Sequence, residues 1–190
     1  MKFYDSVENV NQYIEMAKGF DGRELIKILK KYVPEGSSVL ELGMGPGVDL
    51  EMLSKSYDVT GSDNSIIFIE RFRHLHSSFK LIQLDVNNIK CNITFDCIYS
   101  NKVLHHLTDD ELRASLLQQR NVLANGGVLF HTFWLGEKTE EMEGMLFNYH
   151  TADSLRNLIG DLFDVEEIQS YREMDDNDSL YIILRKSING

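Results

Sequence analysis

The sequence predicts an α/β protein built on a doubly wound, mostly parallel sheet with helices on both faces. Three observations carry this. Residues 38–49, SVLELGMGPGVD, read as an apolar strand, a tight glycine turn and a restarting helical pattern. Strand-like runs then recur at 57–61, 79–84, 94–100 and 128–134, with helical stretches between them. The run TFDCIYS at 94–100 is almost continuously apolar, as strands buried on both faces of a parallel sheet are.

The elements follow in order. Residues 7–32 read as helical with a break at 19–22, and Leu25, Ile26, Ile28 and Leu29 form an apolar stripe opposite Arg23, Lys27, Lys30 and Lys31. Val33-Pro34-Glu35-Gly36 ends this stretch and turns into the first strand. At its carboxyl end Gly43, Gly45 and Gly47 allow backbone angles that side chains disfavour and let a ligand approach the main chain. The first turn of the next helix adds free N–H groups and the positive end of the dipole, which together make a nucleotide-type site. A dinucleotide fingerprint requires a third glycine where Val48 stands, which weakens a dehydrogenase reading.

The second strand ends at Ser62-Asp63-Asn64-Ser65. Asp63 lies twenty residues after Gly43, where a carboxylate accepts from both ribose hydroxyls. A helix-cap role is the alternative, and the strand-end position favours the ribose; Ser65 suits the cap of a helix over 66–74. The third strand runs into Asp85-Val86, and the fourth into Asn101-Lys102-Val103-Leu104-His105-His106-Leu107. Thr108 with Glu111 forms a capping box for a helix over 109–121. Asn125-Gly126-Gly127 then turns into the strand at 128–134. Residues 135–151 lack a strand pattern, a further helix starts at Thr151 or Asp153 and runs to Gly160, and strands at 163–170 and 180–185 flank an acidic turn.

The pattern E-x-G-x-G-x-G from Glu41 to Gly47, followed by Asp63 and Asp85 at the next two strand ends, resembles the class I S-adenosylmethionine-dependent methyltransferases. The segment FDCIYSNKVLHHL at 95–107 closely resembles that family's fourth motif, and the resemblance extends over essentially the whole chain. It implies a Rossmann-like, seven-stranded sheet whose last strand runs antiparallel between its neighbours. It implies S-adenosyl-L-methionine as cofactor, with Glu41, Gly43, Gly45 and Gly47 below it, Asp63 and Asn64 at the ribose, and Asp85 and Val86 at the adenine. Ser100 and Asn101 are expected beside the transferable methyl group. Residues 1–32 are then a helical cap over the opening, and 137–150 a substrate lid.

Length and composition bound the partners. At 190 residues the chain is one domain's worth, with 43% hydrophobic and 26% charged residues. No apolar run spans a bilayer and MKFYDSVENV lacks a signal-peptide core, so a cytoplasmic protein is expected. Cys91 and Cys97 do not suggest a disulfide framework. A net charge of −11 argues against nucleic acid as partner. Asp175, Asp176 and Asp178 read as a solvated turn rather than a metal site, and no metal is expected.

A small-molecule methyl acceptor is the expected partner. Transfer requires alignment of a nucleophile and exclusion of water, with a general base where the acceptor carries a proton. His105, His106 and His131 are the candidate bases; structural roles for them fit the sequence as well. Tyr13, His131, Trp134 and Tyr149 are candidate acceptor contacts, ring faces suiting a cationic acceptor. Packing explains the same residues. A cofactor-binding module without transfer activity is the alternative reading, since the cofactor motifs serve both.

Overall fold

The structure is a computed structural model that describes residues 3–187. Residues 1 and 2 of the expected cap, and 188–190 at the end of the expected domain, lie outside the described residues. Strands β1 (Ser38–Leu42), β2 (Asp58–Asp63), β3 (Lys80–Gln83), β4 (Phe95–Ser100) and β5 (Leu123–Trp134) are parallel. A separate ribbon pairs β6 (Thr139–Met142) with β7 (Met145–Asn148). With β8 (Asp164–Tyr171) and β9 (Ser179–Arg185) the main sheet has seven strands in the order β3-β2-β1-β4-β5-β9-β8. Strand β9 is antiparallel to both β5 and β8, as the resemblance implies.

Alternation along the strands sends side chains to two cores. On β9, Leu180, Ile182 and Leu184 join one cluster while Tyr181 and Ile183 join the other. The first core is closed by α5 (Asp109–Val122) and α6 (Ala152–Ile159). The second is closed by α2 (Arg23–Leu29), α3 (Val48–Leu53) and α4 (Ile66–Leu75). Helix α1 (Val7–Met16) instead crosses the carboxyl ends of the strands beside α4. Of residues 1–32, therefore, α1 contributes Gln12, Tyr13 and Met16 to a cavity lining, whereas α2 packs into the core.

Three local expectations change. Asn125-Gly126-Gly127 is not a turn between helix and strand: α5 passes directly into β5, and the ladder with β4 shifts register between the Phe95 and Cys97 pairs. The glycines form an irregularity within the strand, with Gly126 at φ 75°. Residues 139–148 form a hairpin despite their weak strand pattern. Ser65 precedes α4 without a side-chain cap; its hydroxyl donates to the Tyr4 carbonyl, and Asp63 receives the Ser65 N–H. Thr108 and Thr151 cap α5 and α6 as expected, each within a capping box. In the acidic turn, Asp178 accepts the N–H groups of Glu173, Met174 and Asp175.

Candidate functional site

Strand order reverses between β1 and β4, so the chain leaves the sheet in opposite directions there and opens a crevice above the strand ends. Two adjoining cavities, of about 280 and 400 Å³, occupy it. The larger is lined by Asp63, Asn64, Asp85 and Val86, the residues expected around ribose and adenine. The smaller is lined by Glu41, Asp49, His105, Trp134, Met145 and Phe147, among others. Gly43, Gly45, Tyr13, Asn101, Lys102 and His106 line both.

The glycine loop divides its work. Gly45, at φ 50°, has only the Tyr13 ring near the place of a Cβ, at 3.7 Å, so its backbone stays open to the cavities. A Cβ on Gly47 would lie 2.2 Å from the Phe72 ring, and Gly47 lines neither cavity; its role is packing of the loop against α4. Gly45 donates its N–H to Asp63 Oδ2 at 2.9 Å, and Ser65 donates to Oδ1 at 2.8 Å. Asp63 thus ties two loops together and lines the larger cavity. Burial pushes its pKa up against those N–H bonds.

Glu41 is 3% exposed and its Oε2 has no hydrogen-bond partner. Burial first, then Asp49 and Asp63, push its pKa well above the usual carboxylate range. Asp49 was not singled out by the sequence, although it stands two residues beyond Gly47 in the first turn of α3. It accepts from Gly22 N at 2.7 Å, Tyr99 OH at 2.8 Å and Asn101 Nδ2 at 3.1 Å. Asn101 Oδ1 in turn accepts from Thr132 Oγ1 at 2.8 Å. The amide expected beside the methyl group is therefore fixed at both ends.

Ser100 and His131 are corrected by the structure. Both are fully buried and line neither cavity. Ser100 Oγ lies 2.8 Å from His131 Nδ1, and His131 Nε2 lies 2.8 Å from Gln119 Oε1. Gln119 Nε2 donates to Ser115 Oγ, which donates to the Val86 carbonyl. The pair is a buried link between the β4 end and the loop after β3, and it faces neither cavity. Burial pushes the His131 pKa down to about 3. The unfolded chain, at about 6.5, protonates first, so this stability is present above pH 6.5 and lost as pH falls toward 3. Urea unfolding at pH 5 is expected to show a loss of about 2 kcal/mol from this group relative to neutral pH. A His131→Gln variant is expected to give a flatter dependence; an unchanged slope would remove His131 as its source.

His105 and His106 occupy a 3₁₀ turn, Leu104–His106, after β4. His106 Nδ1 is 2.6 Å from the carbonyl of Leu146 on β7. A carbonyl only accepts, so Nδ1 carries the hydrogen and Nε2 is the basic nitrogen. Burial lowers the His106 pKa, while the bond to Leu146 pulls it back up. His105 is 2% exposed and neither ring nitrogen has a partner. Burial, then His106, Lys102 and His150, hold it well below the ordinary histidine range, hence neutral. Phe147 of the hairpin packs on both rings, at 5.3 and 4.9 Å between centroids.

Trp134, Met145 and Phe147 line the smaller cavity, but Tyr149 lines neither. Its hydroxyl donates to Glu140 at 2.8 Å, and its ring packs beside Gly136 and under Lys138 Nζ, outside the site. Tyr13 packs edge-on against Tyr4 and Phe68 while lining both cavities. Among the described residues no group of three or more His, Cys, Asp or Glu could hold a metal ion, and no helix is long and apolar enough to cross a membrane.

Comparison with known proteins follows this geometry. A family model described as a methyltransferase domain matches residues 39–127, from β1 into β5. An uncharacterized 37.1 kDa protein in a transposon of Streptomyces fradiae is 31% identical over 102 residues, covering 50% of this chain. That match spans only 29% of the relative's length. A Burkholderia thailandensis 1,6-didemethyltoxoflavin-N1-methyltransferase, with 1,6-didemethyltoxoflavin and S-adenosylhomocysteine bound, has a TM-score of 0.81 at 17% identity, over 95% of this chain and 85% of its own. A Clostridium acetobutylicum S-adenosylmethionine-dependent methyltransferase scores 0.76 at 12% identity, over 93% and 98%. The amino pentose methyltransferase of calicheamicin biosynthesis from Micromonospora echinaspora scores 0.73 at 16% identity, over 93% and 97%. The sheet order with its antiparallel β9, the glycine loop and the matched domain agree: residues 39–127 match a methyltransferase domain, within a chain that has the fold of the class I S-adenosylmethionine-dependent methyltransferases.

Proposed function

We propose that the chain transfers a methyl group from S-adenosylmethionine to a small, mostly apolar acceptor by direct in-line displacement. One observation carries this: the cavity lined by Asp63 and Asp85 meets, at Asn101, Lys102 and His106, a second cavity that runs from Glu41 and Asp49 to an apolar wall of Trp134, Met145 and Phe147. The names of two similar structures, a toxoflavin-precursor and an amino pentose methyltransferase, support a small acceptor over nucleic acid or membrane.

The residues present fit the cofactor. Glu41 Oε2 is a buried acceptor without a partner, beside Asp49 and Asp63, and a ligand bearing an ammonium and a sulfonium meets that demand. Asp63 and Asn64 would hold its ribose, and Asp85 and Val86 its adenine. When bound, it supplies an electrophilic methyl carbon and a thioether leaving group. Asn101, held by Asp49 and Thr132, orients the reacting end, and the β6–β7 hairpin excludes water. His106, with Leu146 fixing its tautomer, takes the proton of a protic acceptor at Nε2.

Thermal unfolding tests the reading. S-adenosylhomocysteine at a hundred times its Kd is expected to stabilise the chain by about 2.7 kcal/mol, and NAD to leave it unchanged. Labelled cofactor incubated with small aromatic amines, thiols and phenols is expected to yield methylated product. Stabilisation without transfer to any of them would favour the non-transferring module; a response to NAD alone would overturn both.

A further inference from the structure

Lys102 follows β4 at φ 55°, in the left-handed region that side chains disfavour. Its N–H donates to Thr132 Oγ1 at 2.8 Å, which fixes the backbone there. The side chain then reaches across the ends of β5 and β9. Nζ donates to the Phe133 carbonyl at 3.0 Å and to Ser179 Oγ at 2.6 Å. It stands 3.6 Å from the centroid of the Trp134 ring and 5.5 Å from that of Tyr171. An ammonium has three hydrogens; two are spent on oxygens, and the third meets the indole face. Among the described residues, Lys102 is the one Lys or Arg that lines either cavity. Trp134, whose ring it holds, lines the acceptor cavity and is the single tryptophan of the chain.

We propose that Lys102 is the positioning residue of the acceptor cavity: its charged amine clamps the Trp134 indole as the wall against which the acceptor packs, and loss of the proton releases the clamp. The role in acceptor binding rests on the proposed methyl transfer, whereas the clamp itself stands on geometry.

Burial pulls the Lys102 pKa down to about 7, against Glu173 and Asp178, which push it up. The charged groups around it come from every packed element: Glu173 and Asp178 from the β8–β9 turn, Tyr171 from β8, and His105 from the turn after β4. His105 is held neutral by burial, and burial pushes the Tyr171 phenol far up. Asp178 is pushed up by burial but held at about 2 by the N–H groups of Asp175, Glu173 and Met174. None of these three changes charge near neutrality. The indole therefore faces an ammonium below about pH 7 and a neutral amine above it.

The emission of Trp134 reads this directly. Fluorescence and acrylamide quenching of the full chain are followed across neutral pH, with and without S-adenosylhomocysteine as the probe. Wild type is expected to show a step near pH 7, with the indole more accessible to acrylamide on the alkaline side. Lys102→Met is expected to lose the step and show the accessible state throughout. Lys102→Arg, whose guanidinium stays charged, is expected to lose the step in the opposite sense and keep the protected state. A wild type without the step, or the same step in either variant, would overturn the clamp. The arginine variant decides the matter even if Lys102→Met does not fold. Failure of the cofactor reading would show separately, as the absence of any effect of S-adenosylhomocysteine.

Discussion

His106→Asn is expected to lower kcat for a protic acceptor by about 10²- to 10⁴-fold while leaving S-adenosylhomocysteine affinity nearly unchanged. Asparagine places an amide nitrogen near the position of imidazole Nδ1, so the bond to the Leu146 carbonyl survives. What disappears is the basic Nε2. The hairpin should therefore stay docked, and the loss should appear in kcat rather than in binding. His106→Ala, which removes both groups, should show the same low kcat with a looser hairpin. Because burial lowers the His106 pKa, wild-type kcat at saturating acceptor should fall as pH drops through the lowered value, whereas release of the Lys102 clamp near pH 7 should appear in acceptor KM. Steady-state kinetics on labelled cofactor checks this; wild-type kcat in His106→Asn across hydroxyl acceptors would leave the 3₁₀ turn a packing element.

The parts of this site that were legible in the sequence are those written in short-range pattern. Strand, glycine turn and helix are contiguous, and Asp63 and Asp85 follow at strand ends, so their convergence on one cavity follows from parallel topology. For His131 the sequence left a base, an acceptor contact and a structural role open, and alternation along β5 separates them. It shares parity with Leu129 and Phe133 on β5, both in the core closed by α5, and that pattern already places it inside. The β6–β7 hairpin was hidden because its strands are four residues long, β6 is glutamate-rich, and the apolar run of β7 is only Met145-Leu146-Phe147. Its turn was visible in principle: Glu143 and Gly144, at φ 54° and 75°, take the paired positive angles usually supplied by Asn-Gly. Lys102 left no local signal. Its left-handed backbone and its place over Trp134 depend on β5 and β9 packing around it, contacts between residues far apart in the chain. Tyr149 failed for a related reason: one residue beyond β7, it turns away from the cavity toward Glu140.

Asp63→Ala is expected to weaken S-adenosylhomocysteine binding by about 10- to 150-fold, the effect of losing one charge-assisted hydrogen bond of about 1.5–3 kcal/mol. The structure adds a second consequence. The N–H groups of Gly45 and Ser65 lose their acceptor, so the variant should also lose stability, by about 1–3 kcal/mol for each donor left buried and unpaired. Weaker binding alone would then be ambiguous, since a loosened glycine loop also lowers affinity. A double-mutant cycle separates the two effects. Wild type and Asp63→Ala are titrated calorimetrically with S-adenosylhomocysteine and with its 2′,3′-dideoxy analogue. If the carboxylate holds the ribose hydroxyls, removing them from the ligand costs the wild type most of the affinity lost by mutation, and costs the variant almost nothing. Additive losses would mean that Asp63 acts by tying Gly45 to Ser65, with the ribose held elsewhere. Non-additivity is expected, because Asp63, although it accepts the N–H groups of Gly45, Ser65 and Asn64, stands at the wall of the larger cavity where a ribose hydroxyl can reach it.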